Sequence, residues 1–178
     1  MLIVACNTAS AAALDSLTER FEVPVVGVIG PGARSAIRAS QSGRLGVIGT
    51  VGTIASGAYQ NAIANIDPSI ELTCAACPGF VEFVEAGETD SEQVMVLASR
   101  LLHPVSSAKV DTLLLGCTHY PFLARTIQDV VGRDVVLVSS AEETAFDVKE
   151  ILAKTSLSAP IEAKGEYLQL HFDKHPMQ

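Results

Sequence analysis

Short apolar runs alternate with longer amphipathic stretches along most of the chain. Runs of Val, Ile and Leu bounded by Gly, Pro or Asn predict strands, and the stretches between them carry helical spacing. Residues 2–5 predict a buried strand, followed by an Ala-rich helix over 9–21. Residues 25–29 predict a second strand, closed by Gly30-Pro31-Gly32, and a helix over 34–41 ends at Gly43. A third strand at 45–48 runs through Gly49-Thr50-Val51-Gly52-Thr53 into one helix reaching Ile66. Further along, strands are expected at 70–74, 110–115 and 135–138, with helices at 80–85, 91–102, 121–131 and 141–154. The tail after Ala159 turns polar and predicts at most a strand at 167–172.

Strand runs that are apolar at every position are covered on both faces, as in parallel sheets flanked by helices. The expected fold class is therefore α/β. In such sheets ligands bind beyond the carboxyl ends of the strands. The residues directly after each strand are thus where chemistry should be sought.

Composition narrows the classes of partner. Hydrophobic residues make up 48% and charged residues 18%, enough to bury a core and too apolar for disorder. The formal net charge is −8 with no basic cluster, which argues against nucleic acid. No run approaches the roughly 20 apolar residues of a membrane span, so no membrane partner is expected. The first residues lack the charged n-region of a signal peptide, and a cytoplasmic location is expected. There the four cysteines, Cys6, Cys74, Cys77 and Cys117, should stay reduced.

Two of those cysteines stand directly after predicted strands. Leu2-Ile3-Val4-Ala5 runs into Cys6-Asn7-Thr8, and Leu113-Leu114-Leu115-Gly116 runs into Cys117-Thr118-His119. Each is followed by a hydroxyl residue and then a helix, and Pro121 suits a first helical turn. The positive end of a helix dipole favours thiolate, and the free N–H groups there bind carboxylates. Two such junctions facing across a cleft could remove a proton from one face of a carbon and return one to the other. A buried cysteine is also commonly a small packing residue, and that reading stays open for either one alone.

Other signals point less clearly. Cys74-Ala75-Ala76-Cys77 has CxxC spacing but no second pair, so a metal is not expected, and Cys74 is read as packing at a strand end. Gly46, Gly49 and Gly52 are spaced as a tight strand-to-helix turn and not as a dinucleotide loop. His171 and His175 have no helical context.

At this point a family resemblance becomes visible. Val4-Ala5-Cys6-Asn7-Thr8-Ala9-Ser10 and Leu115-Gly116-Cys117-Thr118-His119-Tyr120-Pro121 resemble the two signature motifs of the glutamate racemases, within the aspartate/glutamate racemase superfamily. Gly46 to Ile54 and Cys77 to Glu85 are similar to internal motifs of the same family, and the likeness runs to about Glu143. His119 after Cys117-Thr118 favours glutamate over aspartate, where that motif generally carries Glu. The resemblance implies an isomerase that interconverts L- and D-glutamate without a cofactor and supplies peptidoglycan for the cell wall and cell shape. It implies that Cys6 and Cys117 alternate as base and acid. Asn7, Thr8, Thr118 and His119 would hold the substrate, with His119 and Glu85 assisting the chemistry. The alternatives are an aspartate-specific relative or a non-catalytic ligand-binding domain; a homodimer is left open.

The resemblance also implies a division of the chain. Residues 32–138 would form one complete α/β domain carrying the second motif. Residues 1–31, with the first motif, and 139–178 would be parts of a second, pseudosymmetric α/β domain. The family's Asp-Ser-Gly-rich turn and two βα units have no counterpart ahead of Cys6, which implies a shortened chain of low or no activity of its own.

Overall fold

The computed structural model describes residues 1–155, 157–160, 162–166 and 168. Apart from Leu168, the strand expected at 167–172 lies outside the described residues, as do His171 and His175. Six strands form two parallel sheets. The smaller pairs β1 (Leu2–Val4) with β2 (Val25–Gly27). The larger contains β3 (Arg44–Gly49), β4 (Glu71–Ala76), β5 (Thr112–Gly116) and β6 (Val136–Ser139) in the order β4-β3-β5-β6. The strands are joined by helices α1 (Asn7–Arg20), α2 (Ile29–Ala39), α3 (Val51–Ala55), α4 (Ala58–Ile66), α5 (Phe80–Glu85), α6 (Glu92–Leu101), α7 (His103–Ser107) and α8 (Ala124–Val131). Helix α9 (Ala141–Lys154) follows the last strand. None of the described helices is long and apolar enough to cross a membrane.

The apolar runs of β3 and β5 are explained by what covers them. Leu45, Val47 and Leu114 face a core layer with Ala33, Ala36, Tyr59 and Ile63 from α2 and α4. Ile48, Leu113 and Leu115 face the opposite layer with Phe80, Val94, Ala98, Val105 and Ile127. Successive side chains of a strand point to opposite faces, so a strand buried on both sides must be apolar throughout. Strand β1 departs from the expectation of full burial: Ile3 is 45% exposed. Among the described residues β1 pairs with β2 on one edge alone.

Three boundaries differ from those expected. Strand β2 ends at Gly27, and Gly30-Pro31-Gly32 form the first turn of α2 instead of a closing loop. Proline is tolerated there because that turn's N–H groups have no intrahelical acceptor. The domain boundary expected at residue 31 therefore falls inside a helix. The single helix expected from the Gly49 turn to Ile66 is two, because Gly57 takes a left-handed conformation (φ 72°) between α3 and α4. Between α6 and β5 lies the extra short helix α7, with Pro104 in its first turn.

Helix α9 is clamped to α2 by charge. Arg34 pairs with Asp147 and Glu143, and Arg38 pairs with Glu143 through both guanidinium nitrogens. A second polar staple holds the turn between α2 and β3. The Asp111 carboxylate accepts hydrogen bonds from the Ser40 hydroxyl (2.8 Å) and the backbone N–H groups of Gln41 (2.8 Å) and Ser42 (2.5 Å). Burial alone would raise its pKa, but those bonds hold the Asp111 carboxyl well below the usual carboxylate range.

That staple yields a stability prediction. A carboxyl depressed in the folded state adds stability that is complete above its unfolded pKa of roughly 4 and is lost as pH falls. Asp111→Ala should cost about 1–3 kcal/mol at neutral pH, and urea titrations of wild type and variant should converge below about pH 4. A gap that widens on acidification, or an Asp111→Ala midpoint matching wild type at pH 7, would refute it.

Candidate active site

The order β4-β3-β5-β6 places a topological switch point between β3 and β5, because the chain leaves β3 to one side and later returns to the other. Ligand crevices of α/β sheets open at such points. The two strands are in register through Gly49 opposite Gly116, so Thr50 and Cys117 emerge side by side. Gly116 has to be a glycine: a Cβ there would lie 2.7 Å from the Ile48 carbonyl oxygen and 3.0 Å from the Tyr59 ring. The chain after Cys117 tightens into a 3-10 turn over Tyr120–Leu123 containing Pro121, and then continues as α8.

The first cysteine motif reaches the same place from the smaller sheet. Cys6 is the N-cap residue of α1, and its carbonyl accepts the first intrahelical bond from Ser10 at 2.8 Å. Its thiol makes no cap bond and is exposed. Ser10 ties the junction together, donating to the Val4 carbonyl (2.7 Å) and accepting from Val28 N–H (3.3 Å). The Thr8 hydroxyl bonds to Thr50 (2.9 Å) and Thr53 (3.0 Å), which bond to each other at 3.0 Å. These three hydroxyls close a triangle between the first turn of α1 and the capped first turn of α3, where Thr50 Oγ1 accepts from Thr53 N–H. Asn7 is buried, and its Oδ1 accepts from the Tyr59 hydroxyl at 2.5 Å.

Cys117 is buried and electrostatically coupled to Cys6. Burial pushes the Cys117 thiol up, and a charge on Cys6 pushes it further. Hydrogen bonds from the backbone N–H groups of His119, Tyr120 and Thr118 act in the opposite direction. The two sulfurs therefore disfavour simultaneous ionisation. His119 Nδ1 lies 3.8 Å from Cys117 Sγ, and His119 Nε2 lies 2.5 Å from Glu85 Oε1. A carboxylate only accepts, so Nε2 carries the hydrogen, and Nδ1 faces the thiol as an acceptor when the ring is neutral and as a donor when it is protonated. Glu85 comes from the end of α5, far from the motif in sequence, and the fold delivers it to the imidazole.

The sequence-predicted residues Cys6, Asn7, Thr8, Cys117, His119 and Glu85 thus share one region. Thr118 is exposed and lines a cleft of about 400 Å³ whose walls are Ile3, Val28, Ser140, Thr144 and neighbouring residues. The larger cavity of about 490 Å³ lies between α5 and α6, beside Phe83 and Val96, and includes none of these residues. The CxxC pair belongs to the core: burial pushes Cys74 up to about 11 and Cys77 up to about 12, so both stay thiols. Cys74 sits within β4 and not at its end. Among the described residues no cluster of three or more His, Cys, Asp or Glu could hold a metal ion.

Sequence reading missed Thr50, Thr53 and Tyr59. Thr50 directly ahead of a helix is a capping signal, whereas nothing local marks the Thr53 side chain. Nothing local marks Tyr59, whose partner lies 52 positions away.

Comparison with known proteins extends the picture to the whole chain. The family model described as Asp/Glu/Hydantoin racemase matches residues 1–145. A glutamate racemase of Corynebacterium kroppenstedtii is 50% identical over 170 residues, covering 96% of this chain and 59% of the relative. Glutamate racemase from Bacillus anthracis superposes with a TM-score of 0.83 at 45% identity, over 88% of this chain and 59% of that one. Glutamate racemase from Francisella tularensis, in complex with D-glutamate, gives a TM-score of 0.83 at 31% identity, over 90% and 59%. The chain thus spans about three-fifths of the length of these relatives. Both cysteine motifs, the strands that present them and the helices that follow fall within the matched residues, and the chain belongs to the Asp/Glu/hydantoin racemase family.

Proposed function

We propose that this chain carries the paired-cysteine chemistry of a glutamate racemase, inverting L-glutamate to D-glutamate and back without a cofactor. The observation that carries the reading is that the two cysteine junctions, presented by separate sheets, meet through side chains: Thr8 bonds to Thr50 and Thr53 beside the end of β5, and Tyr59 bonds to Asn7 while its ring lies against Gly116. The glutamate racemases of similar sequence and fold support the choice of substrate, and one of them is complexed with D-glutamate. In a bacterial cell the product would feed peptidoglycan synthesis in the cytoplasm.

The mechanism needs one thiolate and one thiol at a time. Cys6 as thiolate takes the α-proton from one face of glutamate, leaving a planar carbanion. The Cys117 thiol gives its proton to the opposite face. The cycle leaves Cys6 protonated and Cys117 ionised, which is the form that runs the reverse reaction. Mutual repulsion of the two sulfur charges favours this alternation over a doubly ionised site. His119, with Glu85 behind it, supplies a base that draws the proton from the buried Cys117 thiol and returns it. In this reading Asn7, Thr8 and Thr118 hold the carboxylates and amino group, and the hydroxyl triangle adds Thr50 and Thr53 as further candidates. The N–H groups at the start of α1 add neutral donors for a carboxylate.

The division of the chain belongs to the same reading. Residues 32–138, together with the first turn of α2, form one α/β unit, and residues 1–28 with the described residues after 138 contribute to a second. The separate β1-β2 sheet and the contact of α9 with β2 support it.

Two measurements test the proposal. The purified 178-residue chain in deuterated water should exchange the α-proton of either glutamate enantiomer at a low rate, followed by NMR over a long incubation, and exchange aspartate more slowly still. Faster exchange of aspartate would overturn the substrate assignment. Replacing Cys6 or Cys117 with Ser should each reduce racemisation by roughly 10²–10⁴-fold, while Cys74→Ser changes it little. Glu85→Gln should lower kcat/KM by the same factor in both directions, and kcat most in the direction in which Cys117 is the base. Racemisation that persists in both Cys→Ser variants would remove the two-thiol mechanism.

A further inference from the structure

We propose that Tyr59 is a positioning residue that locks the Asn7 amide in the orientation glutamate requires; this rests on the racemase reading above. The tyrosine is fully buried in the first turn of α4, and its hydroxyl donates to Asn7 Oδ1 at 2.5 Å. Asn7 directly follows Cys6, while the Tyr59 ring lies against Gly116, which directly precedes Cys117. One side chain therefore touches both cysteine motifs.

The surrounding backbone is shaped for it. A Cβ on Gly32 would approach the Tyr59 hydroxyl oxygen to 3.2 Å, and a Cβ on Gly116 would approach its ring to 3.0 Å. Gly57 in its left-handed conformation ends α3 and sets the direction from which α4 brings Tyr59 beneath the sheet. Burial, and then the charge of Cys117, keep the phenol protonated and so keep it a donor.

The consequence for Asn7 follows from amide chemistry. A primary amide has an accepting end and a donating end of nearly equal size, and only its hydrogen bonds tell them apart. With Oδ1 engaged by Tyr59, the donating Nδ2 is the end left over. Nδ2 has no acceptor among the described residues and is not among the buried polar atoms lacking a partner. It is the end that would donate to a substrate carboxylate. Without the Tyr59 hydroxyl the amide can turn over, and an acceptor would then face the substrate's negative charge.

The test is steady-state kinetics of glutamate racemisation on the whole chain, comparing wild type, Tyr59→Phe, Asn7→Ala and the double variant. Tyr59→Phe should raise KM for glutamate about five- to tenfold and change kcat by less than about threefold. Asn7→Ala and the double variant should have the same KM, since the hydroxyl acts only through the amide. Near-UV circular dichroism and the unfolding midpoint check that the fold survives. Should Tyr59→Phe fail to fold, Asn7→Asp serves instead, because it keeps the acceptor for Tyr59 and turns the donating end into an acceptor. Its glutamate affinity must then fall without loss of stability. An unchanged KM in Tyr59→Phe, a loss confined to kcat, additive effects in the double variant or unchanged affinity in Asn7→Asp each overturns the proposal while leaving the racemase reading standing. A wild-type chain that neither binds nor exchanges glutamate overturns both.

Discussion

There is no space for a side chain at Gly116. Its α-carbon passes so close to the Ile48 carbonyl that a methyl group would sit 2.7 Å from the oxygen. Because that space is empty, β5 lies beside β3 through Gly49 opposite Gly116, and Cys117 leaves the sheet at the switch point. The same gap admits the ring of Tyr59, which reaches from the α2–α4 layer to Asn7. Any larger residue would have to part the strands or displace the tyrosine, and both movements relocate a cysteine. Backbone close approach at Gly116 thus bears on Cys117 directly and, through Tyr59, on the residue that follows Cys6.

Polar contacts then fix what sterics only allow. The first turns of α1 and α3 meet through three threonine hydroxyls, each bonded to the other two. Hydroxyls both donate and accept, so such a triangle is satisfied internally and can re-aim one hydrogen when a ligand arrives. No fixed positive charge takes part in these contacts. A chain with net charge −8 can still receive an acidic ligand here, because helix-terminal N–H groups, amides and hydroxyls supply the local field.

How much of this was legible depended on whether the cause was local. Strands β3 and β5 were clear because both faces are buried and the runs at 45–48 and 113–115 carry no polar side chain. Cys6 and Cys117 stood out because the strand, the cysteine and the next helix are contiguous. The break at Gly57 was read through because an isolated glycine also occurs inside helices, and only its positive φ reveals the turn. Helix α7 carried a usable signal in Pro104, one residue past its start, but it is too short to show a period. Glu85 looked as much like a solvated helix end as a functional group, and its side chain is indeed 68% exposed. Its bond to His119 joins elements distant in sequence, as does the bond from Tyr59 to Asn7. Pairings of that kind leave no trace in local composition or spacing.

The two cysteines are not equivalent, and under the proposed reading this has a definite thermodynamic consequence. Cys6 is exposed at a helix N-cap, whereas Cys117 is buried with His119 and Glu85 behind it. Enantiomers have equal free energy in water, so the reaction's equilibrium constant is one whatever the protein does. The kcat/KM values in the two directions must then be equal. Asymmetry between the thiols can only redistribute each direction's barrier between binding and chemistry, and decide which protonation form the free enzyme rests in. Burial favours the neutral form of Cys117, the state in which it acts as the acid. That state is poised for the enantiomer whose α-hydrogen faces Cys6. To accept the other enantiomer, the free site must first pass a proton from Cys117 to Cys6. His119 and Glu85 lower the cost of that step by giving the departing proton a neighbouring base; every turnover in either direction leaves the free site in the opposite protonation form, so the step recurs in both directions, and neither residue contributes to the equilibrium.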